Sequence, residues 1–161
     1  MMKTHRTLMT LVAAAGFLSA IVTDRTLAVG FSSQGQVLYV PIYSELPYGD
    51  RKNMLNLSAT LSVRNTDRKT AVRLKRVDYY SVTGKLLRSY AEEPRILAPM
   101  ASAEYIISGA DRSGGTAASF IVEWESASPV SPPVVEAVMI SAQSVYGISF
   151  TTSARVLEER R

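Results

Sequence analysis

Two glutamates in the second half of the chain have the residue type and spacing of a catalytic carboxylate pair. Glu123 and Glu125 flank Trp124, so on a β-strand their side chains would share one face about 7 Å apart. Glycosidases use carboxyl pairs at separations of about 5–9.5 Å. Strand alternation directs Trp124 to the opposite face, so the competing interpretation is a solvent-exposed carboxylate pair behind a buried tryptophan.

Basic side chains are concentrated in one part of the chain. Residues 64–95 contain nine lysines and arginines against four acidic residues, whereas residues 96–161 contain four against seven. If the strands of the basic region form a meander, Arg73, Lys75 and Arg88 can lie on one outward face. Such a face would attract an anionic glycan, a lipid head group or an acidic protein. The competing interpretation is a solvated surface that discourages edge-to-edge aggregation.

Tyrosines form a second set of candidate contact residues, because the chain has eight of them. Tyr43 and Tyr48 lie next to a predicted loop, and Tyr80 should point outward if Tyr79 points inward. Exposed tyrosines suit contacts with protein or carbohydrate, although each could equally be a packing residue. We predict no catalytic and no metal-binding residues, and the candidate binding residues are Arg73, Lys75, Arg88, Tyr43, Tyr48 and Tyr80.

The composition narrows the chemistry that the chain can perform. There is no cysteine, and the one histidine is His5. Nucleophilic triads need an imidazole base, and zinc, copper and haem sites normally need histidine or cysteine ligands. No glycine-rich phosphate-binding loop is present. The sequence therefore predicts no cofactor and disfavours transition-metal, nucleotide-dependent and thiol enzymes.

Alternating apolar residues predict the elements that would position these side chains. Apolar residues recur at every second position over residues 55–63 and again over 118–124, which is typical of strands with one buried face. About eight such segments follow one another, with turn-forming residues between them and no convincing helix after the N-terminal segment. This pattern predicts an all-β, antiparallel immunoglobulin-like sandwich of seven to eight strands, with Trp124 as a core anchor.

Three local features modify this pattern. The parity of the apolar residues changes near Lys75 and Arg76, which predicts a β-bulge in the strand over 71–80. Pro41 cannot donate a ladder hydrogen bond, so its strand should lie at a sheet edge or contain a bulge. The charged tail, residues 158–161, is expected to fray.

The N-terminal residues have the pattern of a secretion signal. Basic residues precede an apolar run of 15 residues from Leu8 to Val22, which is shorter than the roughly 20 residues of a membrane span. A small-x-small cleavage site ends at Ala28. We predict a signal peptide at 1–28, either cleaved or retained as an anchor, and a single periplasmic or secreted domain at 29–161.

Six segments of the chain together carry a family resemblance: YVPIYS (39–44), YGDR (48–51), NLSATLSVRNTD (56–67), VDYYSVTGKLLRSY (77–90), SGGTAASFIVEW (113–124) and GISFTTSARV (147–156). They resemble a bacterial extracytoplasmic domain-of-unknown-function family whose members carry signal peptides or lipoprotein signals. The resemblance implies an exported, compact domain and transfers no activity. Lipid anchoring is not implied, because this chain has no cysteine. The layout is also loosely similar to immunoglobulin-like envelope domains.

The function that these observations favour is non-catalytic. We expect an interaction or accessory domain of the bacterial envelope, which binds a protein or an anionic glycan or lipid through its basic strand face. The alternatives are a carboxylate-based carbohydrate-active enzyme and a purely structural envelope module. A nucleic-acid partner is not expected, because no recognised binding motif is present. Membrane contact is expected only through the N-terminal segment, if it is retained.

Overall fold

Twelve β-strands build the fold in the residues that the structure, a computed structural model, describes: 32–50, 52–91, 93–141 and 147–161. The predicted signal peptide, residues 1–28, lies outside the described residues. In chain order the strands are β1 (Ser33–Ile42), β2 (Glu45–Tyr48), β3 (Asn53–Asn56), β4 (Ser58–Arg64), β5 (Val72–Tyr80), β6 (Leu86–Ser89), β7 (Arg95–Leu97), β8 (Ser102–Ile107), β9 (Ala118–Val130), β10 (Val134–Ser141), β11 (Ile148–Ser153) and β12 (Arg155–Arg160). A 3-10 turn, Gly115–Ala117, precedes β9. Among the described residues, no helix has the length and apolar character needed to cross a membrane.

The strands form two antiparallel sheets with a common core between them. Sheet I has the order β12-β1-β9-β5-β6, and β7 also pairs with β5. Sheet II has the order β11-β10-β4-β8, while β2 and β3 form a separate hairpin. The predicted all-β antiparallel sandwich is therefore confirmed. Four strands add to the eight that the sequence predicted. β2, β3 and β7 have only three or four residues, too few to show a period, and the last predicted strand is divided into β11 and β12.

Apolar side chains at alternate positions of the strands fill the space between the two sheets. The longer strands contribute core residues at alternate positions, among them Phe120, Val122 and Trp124 from sheet I and Ala59, Leu61 and Val63 from sheet II. Trp124 is fully buried, and its Nε1 donates a hydrogen bond to Gln36 Oε1 at 3.2 Å. A buried indole needs such a partner for its N–H. The predicted position of Trp124 as a core anchor is confirmed.

β5 contains the predicted bulge. Its register against β9 shifts between Leu74 and Arg76. The extra residue returns Val77 and Tyr79 to the core side, where both are buried. It also leaves Lys75 and Arg76 together on the outer side of sheet I, where both reach carboxylates.

β1 lies inside sheet I, so the expectation that its strand forms a sheet edge is wrong. β1 pairs with β9 on one side and with β12 on the other. The alternative of a bulge is confirmed by a register shift between Val37 and Leu38. The ladder to β12 ends at Tyr39, so Pro41 lies where β1 has only one neighbour. The expectation of a frayed tail is also wrong, because the tail belongs to β12.

The two long sides of the sandwich differ. On one side the chain passes from β11 in sheet II to β12 in sheet I through a single residue, Ala154. There Thr152 Oγ1 also donates a hydrogen bond to the carbonyl of Pro41, across the two sheets. On the other side the sheets end in short strands β6 and β7 of sheet I and in β8 of sheet II. This second side is called the open side below.

Candidate functional site

The outer face of sheet I carries an ion-pair network that joins β5, β9 and β12. Arg73 Nη2 lies 2.7 Å from Glu125 Oε1. Lys75 Nζ lies 3.3 Å from Glu123 Oε1 and 3.5 Å from Glu125 Oε2. Arg160 Nη2 lies 2.9 Å from Glu123 Oε1. These five residues are called the ion-pair network, and each of its three cations contacts at least one of the two glutamates.

Strand register and one glycine bring these side chains together. Arg73 lies directly opposite Glu125 in the β5–β9 ladder, so the two side chains share a face. Gly35 of β1 lies between Glu125 and Arg160 in the sheet. Because Gly35 has no side chain, Arg160 can cross β1 to reach the glutamates. A Cβ at Gly35 would lie 2.8 Å from the carbonyl oxygen of Trp124 and 3.4 Å from Arg160 Cδ.

The network favours the ionised form of Glu123. Burial alone would raise the pKa of this carboxyl, but the hydrogen bonds and charges of Lys75 and Arg160 outweigh burial and lower the pKa. A general acid needs the opposite shift. Glu123 and Glu125 also lie on the face opposite the buried Trp124, as alternation requires. This geometry gives no support to the carbohydrate-active enzyme, and no group of His, Cys, Asp or Glu in the described ranges could hold a metal ion.

The structure does not place the three predicted basic residues on one face. Arg73 and Lys75 belong to the ion-pair network. Arg88 lies opposite Tyr79 in the β5–β6 ladder, and Tyr79 points into the core. Arg88 therefore emerges on the core-facing side of sheet I, at its edge, and the prediction of one shared outward face is wrong for this residue. The bulge in β5 and the register between β5 and β6 place Arg88 on the face of sheet I opposite to Arg73 and Lys75.

The three predicted tyrosines lie at the ends of different strands. Tyr43 is half-buried and packs edge-on against Phe150, with ring centroids 5.7 Å apart. Tyr48 is 56% exposed in the β2–β3 hairpin. Tyr80 is half-buried at the end of β5, opposite Ser119 of β9. In the described residues, no ring contact joins these tyrosines to one another.

A different cluster of basic and aromatic side chains lies on the open side, between β6, β7 and β8. Arg88, Tyr90, Arg95 and Tyr105 are called the arginine–tyrosine site. They line an open pocket of about 470 Å³ together with Ser89, Ala91 and Glu93. The site thus includes one residue that the sequence predicted, Arg88, and three that it did not group with it.

Stacked rings hold the arginine–tyrosine site in shape. The Arg88 guanidinium carbon lies 5.3 Å from the centroid of the Tyr90 ring, which is a cation–π contact. Tyr90 packs edge-on against Tyr105, with centroids 5.5 Å apart. Burial raises the pKa of Tyr105, while the charge and hydrogen bond of Arg95 oppose this shift. Arg88 and Arg95 both line the pocket that these rings border.

The arginines of this site differ from those of the ion-pair network. Among the described residues, neither Arg88 nor Arg95 forms an ion pair with a carboxylate. The polar contact of Arg88 is a long hydrogen bond of 3.4 Å to Tyr90 Oη. Glu93 lines the pocket without pairing to either arginine. Both guanidiniums therefore keep donors that can form charge-assisted hydrogen bonds with an anion.

The sequence alone could predict only part of the arginine–tyrosine site. Arg88 and Tyr90 are two residues apart, and this spacing places two strand residues on one face. Arg95 and Tyr105 belong to strands of different sheets, which meet because the turn after β7 carries the chain from sheet I to sheet II. No local pattern encodes that crossing, so the grouping required the tertiary structure.

Comparison with known proteins gives one family match and one similar solved structure. No curated protein matches this chain. The crystal structure of Thermotoga maritima 1070 is similar, with 15% sequence identity and a TM-score of 0.45, over 79% of this chain and 97% of the other. Residues 35–157 match the family described as "Protein of unknown function (DUF3124)". The chain therefore belongs to the DUF3124 family, an uncharacterised domain family.

Proposed function

We propose that this domain is a non-catalytic binding module of the bacterial envelope that holds an anionic partner at the arginine–tyrosine site. The observation that carries the proposal is the contrast between two groups of cations. Arg73 and Lys75 are neutralised by glutamates, whereas Arg88 and Arg95 face one open pocket without a carboxylate partner in the described residues. The envelope location is supported by the signal pattern of residues 1–28.

The chemistry of the pocket suits an anion on an extended, partly apolar molecule. A guanidinium binds carboxylate, sulfate or phosphate oxygens through paired, charge-assisted hydrogen bonds. The rings of Tyr90 and Tyr105 offer a rigid apolar floor beside these donors, and rigid groups lose little conformational entropy on binding. The pocket volume of about 470 Å³ falls within the usual range of binding sites.

The proposed binding surface lies on the open side of the sandwich, whereas the sequence predicted one on the outer face of a sheet. Arg88 is the predicted residue that stays in the site. Arg73 and Lys75 become structural residues, since their charges are already satisfied within the ion-pair network. The exposed Tyr48, at the far end of a separate hairpin, does not enter the proposal.

The experiment measures binding of two fluorescent polyanions, poly-L-glutamate and heparin, to the full chain by fluorescence anisotropy. In the double variant Arg88→Gln/Arg95→Gln we expect affinity to fall at least tenfold, about 1.4 kcal/mol. The matched control is Arg68→Gln/Lys69→Gln, which removes two exposed charges from a loop outside the pocket. We expect the control to change affinity by less than about twofold.

Equal losses in the two double variants would show non-specific attraction to net charge and would contradict the proposed site. Binding should also weaken in 0.5 M salt, because the guanidiniums are solvent-exposed and their charges are screened. If neither polyanion binds the wild-type chain, the proposal of an anion-binding module is wrong. In that case the purely structural envelope module becomes the better hypothesis.

A further inference from the structure

β8 is a sheet edge that borders the arginine–tyrosine site. Among the described residues it is the last strand of sheet II and pairs with β4 alone, over six residues without a register shift. The edge strands opposite it in sheet I are shorter, since β6 has four residues and β7 has three. The open side of the sandwich is thus bounded by one long, regular edge.

The backbone groups that point out of this edge can be identified from two hydrogen bonds. The carbonyl of Ala101 accepts a bond from the Asn65 N–H, at the end of β4. The carbonyl of Ile106 instead accepts a bond from Tyr90 Oη, on the opposite side. Backbone groups alternate sides along a strand, so those of Ser102, Glu104 and Ile106 point away from β4 into the open side.

This edge lacks most of the features that keep sheet edges unpaired. Natural edges are usually protected by lysine, proline or a bulge, and β8 contains none of these. Its one charged residue is Glu104, and Ile106 is 62% exposed. The contact from Tyr90 to the Ile106 carbonyl is 3.4 Å long, which is weak enough for an incoming strand to replace.

A strand added to β8 would extend sheet II across the mouth of the pocket. Tyr105 of β8 itself lines the pocket with Arg88 and Arg95. Side chains of an added strand alternate between the two faces of the sheet. Those on the core-facing side would therefore enter the pocket, where two guanidiniums favour carboxylates. Those on the outer side would lie next to Glu104, which repels carboxylates.

We propose that β8 accepts an extended acidic polypeptide segment as an added strand, with its carboxylates in the arginine–tyrosine site. This inference rests on the proposed function and names the partner as polypeptide. Main-chain hydrogen bonds to Ser102, Glu104 and Ile106 supply affinity, and the pocket supplies selectivity for acidic side chains. The bound segment carries Asp or Glu at every second position and uncharged or basic residues between them.

The test selects binders to the full chain from a displayed library of random decapeptides. Enriched peptides are expected to carry acidic residues at alternate positions. Their affinity should fall at least tenfold in Glu104→Pro, because proline removes an outward N–H and blocks a neighbouring strand. Glu104→Gln removes the same charge and keeps the N–H, so the loss of affinity in Glu104→Pro should exceed that in Glu104→Gln at least fivefold.

A second measurement does not depend on a protein variant. Methylating the backbone nitrogens of an enriched peptide at alternate residues, on the edge that faces β8, should lower its affinity at least tenfold. Methylation of the other parity should change affinity by less than threefold. This comparison decides the question if Glu104→Pro lowers the melting temperature and fails to fold.

Three outcomes would overturn strand addition. The first is enrichment of peptides whose binding needs Arg88 and Arg95 but tolerates both proline and methylation, which would support the anion site without strand addition. The second is binding of heparin with no peptide enriched, which identifies a glycan partner. The third is a dimer of the chain that Glu104→Pro dissociates, which assigns the edge to a second copy. Failure of every anionic probe would overturn the proposed function as well.

Discussion

The two groups of arginines lie on strands of the same sheet and have different uses. In the ion-pair network, Arg73 and Arg160 lie within 2.9 Å of glutamate oxygens on β9. In the arginine–tyrosine site, Arg88 stacks on the ring of Tyr90 and Arg95 lines the same pocket. The charges of the first group are paired with glutamates of the same molecule, and those of the second group face solvent. Charge density along a sequence therefore does not by itself locate a binding surface.

The difference between the two groups comes from what lies opposite them in the sheet. Arg73 of β5 faces Glu125 of β9, which is a central strand. Arg88 is on β6, the last strand of sheet I in the part of the chain that the structure describes, and there no strand beyond β6 supplies a carboxylate. We therefore expect changes in the ion-pair network to alter stability and leave anion binding unchanged. Changes in the arginine–tyrosine site should weaken anion binding and leave stability unchanged.

The largest expected effect on stability comes from Gly35, over which Arg160 reaches the network. In Gly35→Ala the new Cβ would meet the Trp124 carbonyl oxygen at 2.8 Å, and a backbone atom of a central strand cannot move cheaply. We expect the free energy of unfolding in urea to fall by about 2 kcal/mol, with heparin affinity unchanged. Gly147→Ala is the control, because its Cβ would have no neighbour within 4 Å. Equal losses in both variants would contradict the close approach.

A smaller effect is expected when the central carboxylate of the network is neutralised. Glu123→Gln keeps the shape of the side chain but weakens its contacts with Lys75 and Arg160. We expect a loss of about 1 kcal/mol in the free energy of unfolding, because the partners are partly exposed and screened. Glu158→Gln, on the exposed end strand β12, should change it by less than about 0.5 kcal/mol. A loss of polyanion binding in Glu123→Gln would contradict the separate roles of the ion-pair network and the arginine–tyrosine site.

The smallest effect is a dependence on pH. The network lowers the pKa of Glu123 below its ordinary value of 4.5, so the folded state favours the ionised form. Its contribution is complete above pH 4.5 and disappears as the pH falls through the lowered value. The difference in unfolding free energy between wild type and Glu123→Gln should therefore shrink between pH 7 and pH 3. A difference that stays constant over this range would mean that the charge of Glu123 does not stabilise the fold.

Much of the fold could be predicted because its information is local. The alternation in β4 and β9 placed Leu61 and Trp124 in the core, and the change of parity in β5 located the bulge. The position of β1 could not be predicted from Pro41, since proline restricts a hydrogen bond and says nothing about how far a neighbouring strand extends. The pairing of the charged tail depended on Gly35, whose partner lies more than 100 residues away.

The candidate site was less predictable for a related reason. Arg88 was identified from charge alone, and its grouping with Arg73 and Lys75 assumed a flat meander. The β5–β6 register puts Arg88 on the other side of the sheet, next to Tyr90 and Tyr105. Contacts across the edge of a sandwich join residues from two sheets, so they leave no period in the sequence. Faces of single strands can be read from alternation, but pockets between sheets cannot.

The place of β1 between β9 and β12 has a consequence for how the chain must fold. The hydroxyl of Ser33 bonds to the carbonyl of Arg160, 127 positions further along, and both ladders of β1 close long stretches of chain. Long-range pairings of this kind slow folding. During synthesis β1 must wait, with one or both edges unpaired, until β9 and β12 have been made. A chain cut short before β12 would keep that edge open permanently, and we expect it to be captured by chaperones or to aggregate.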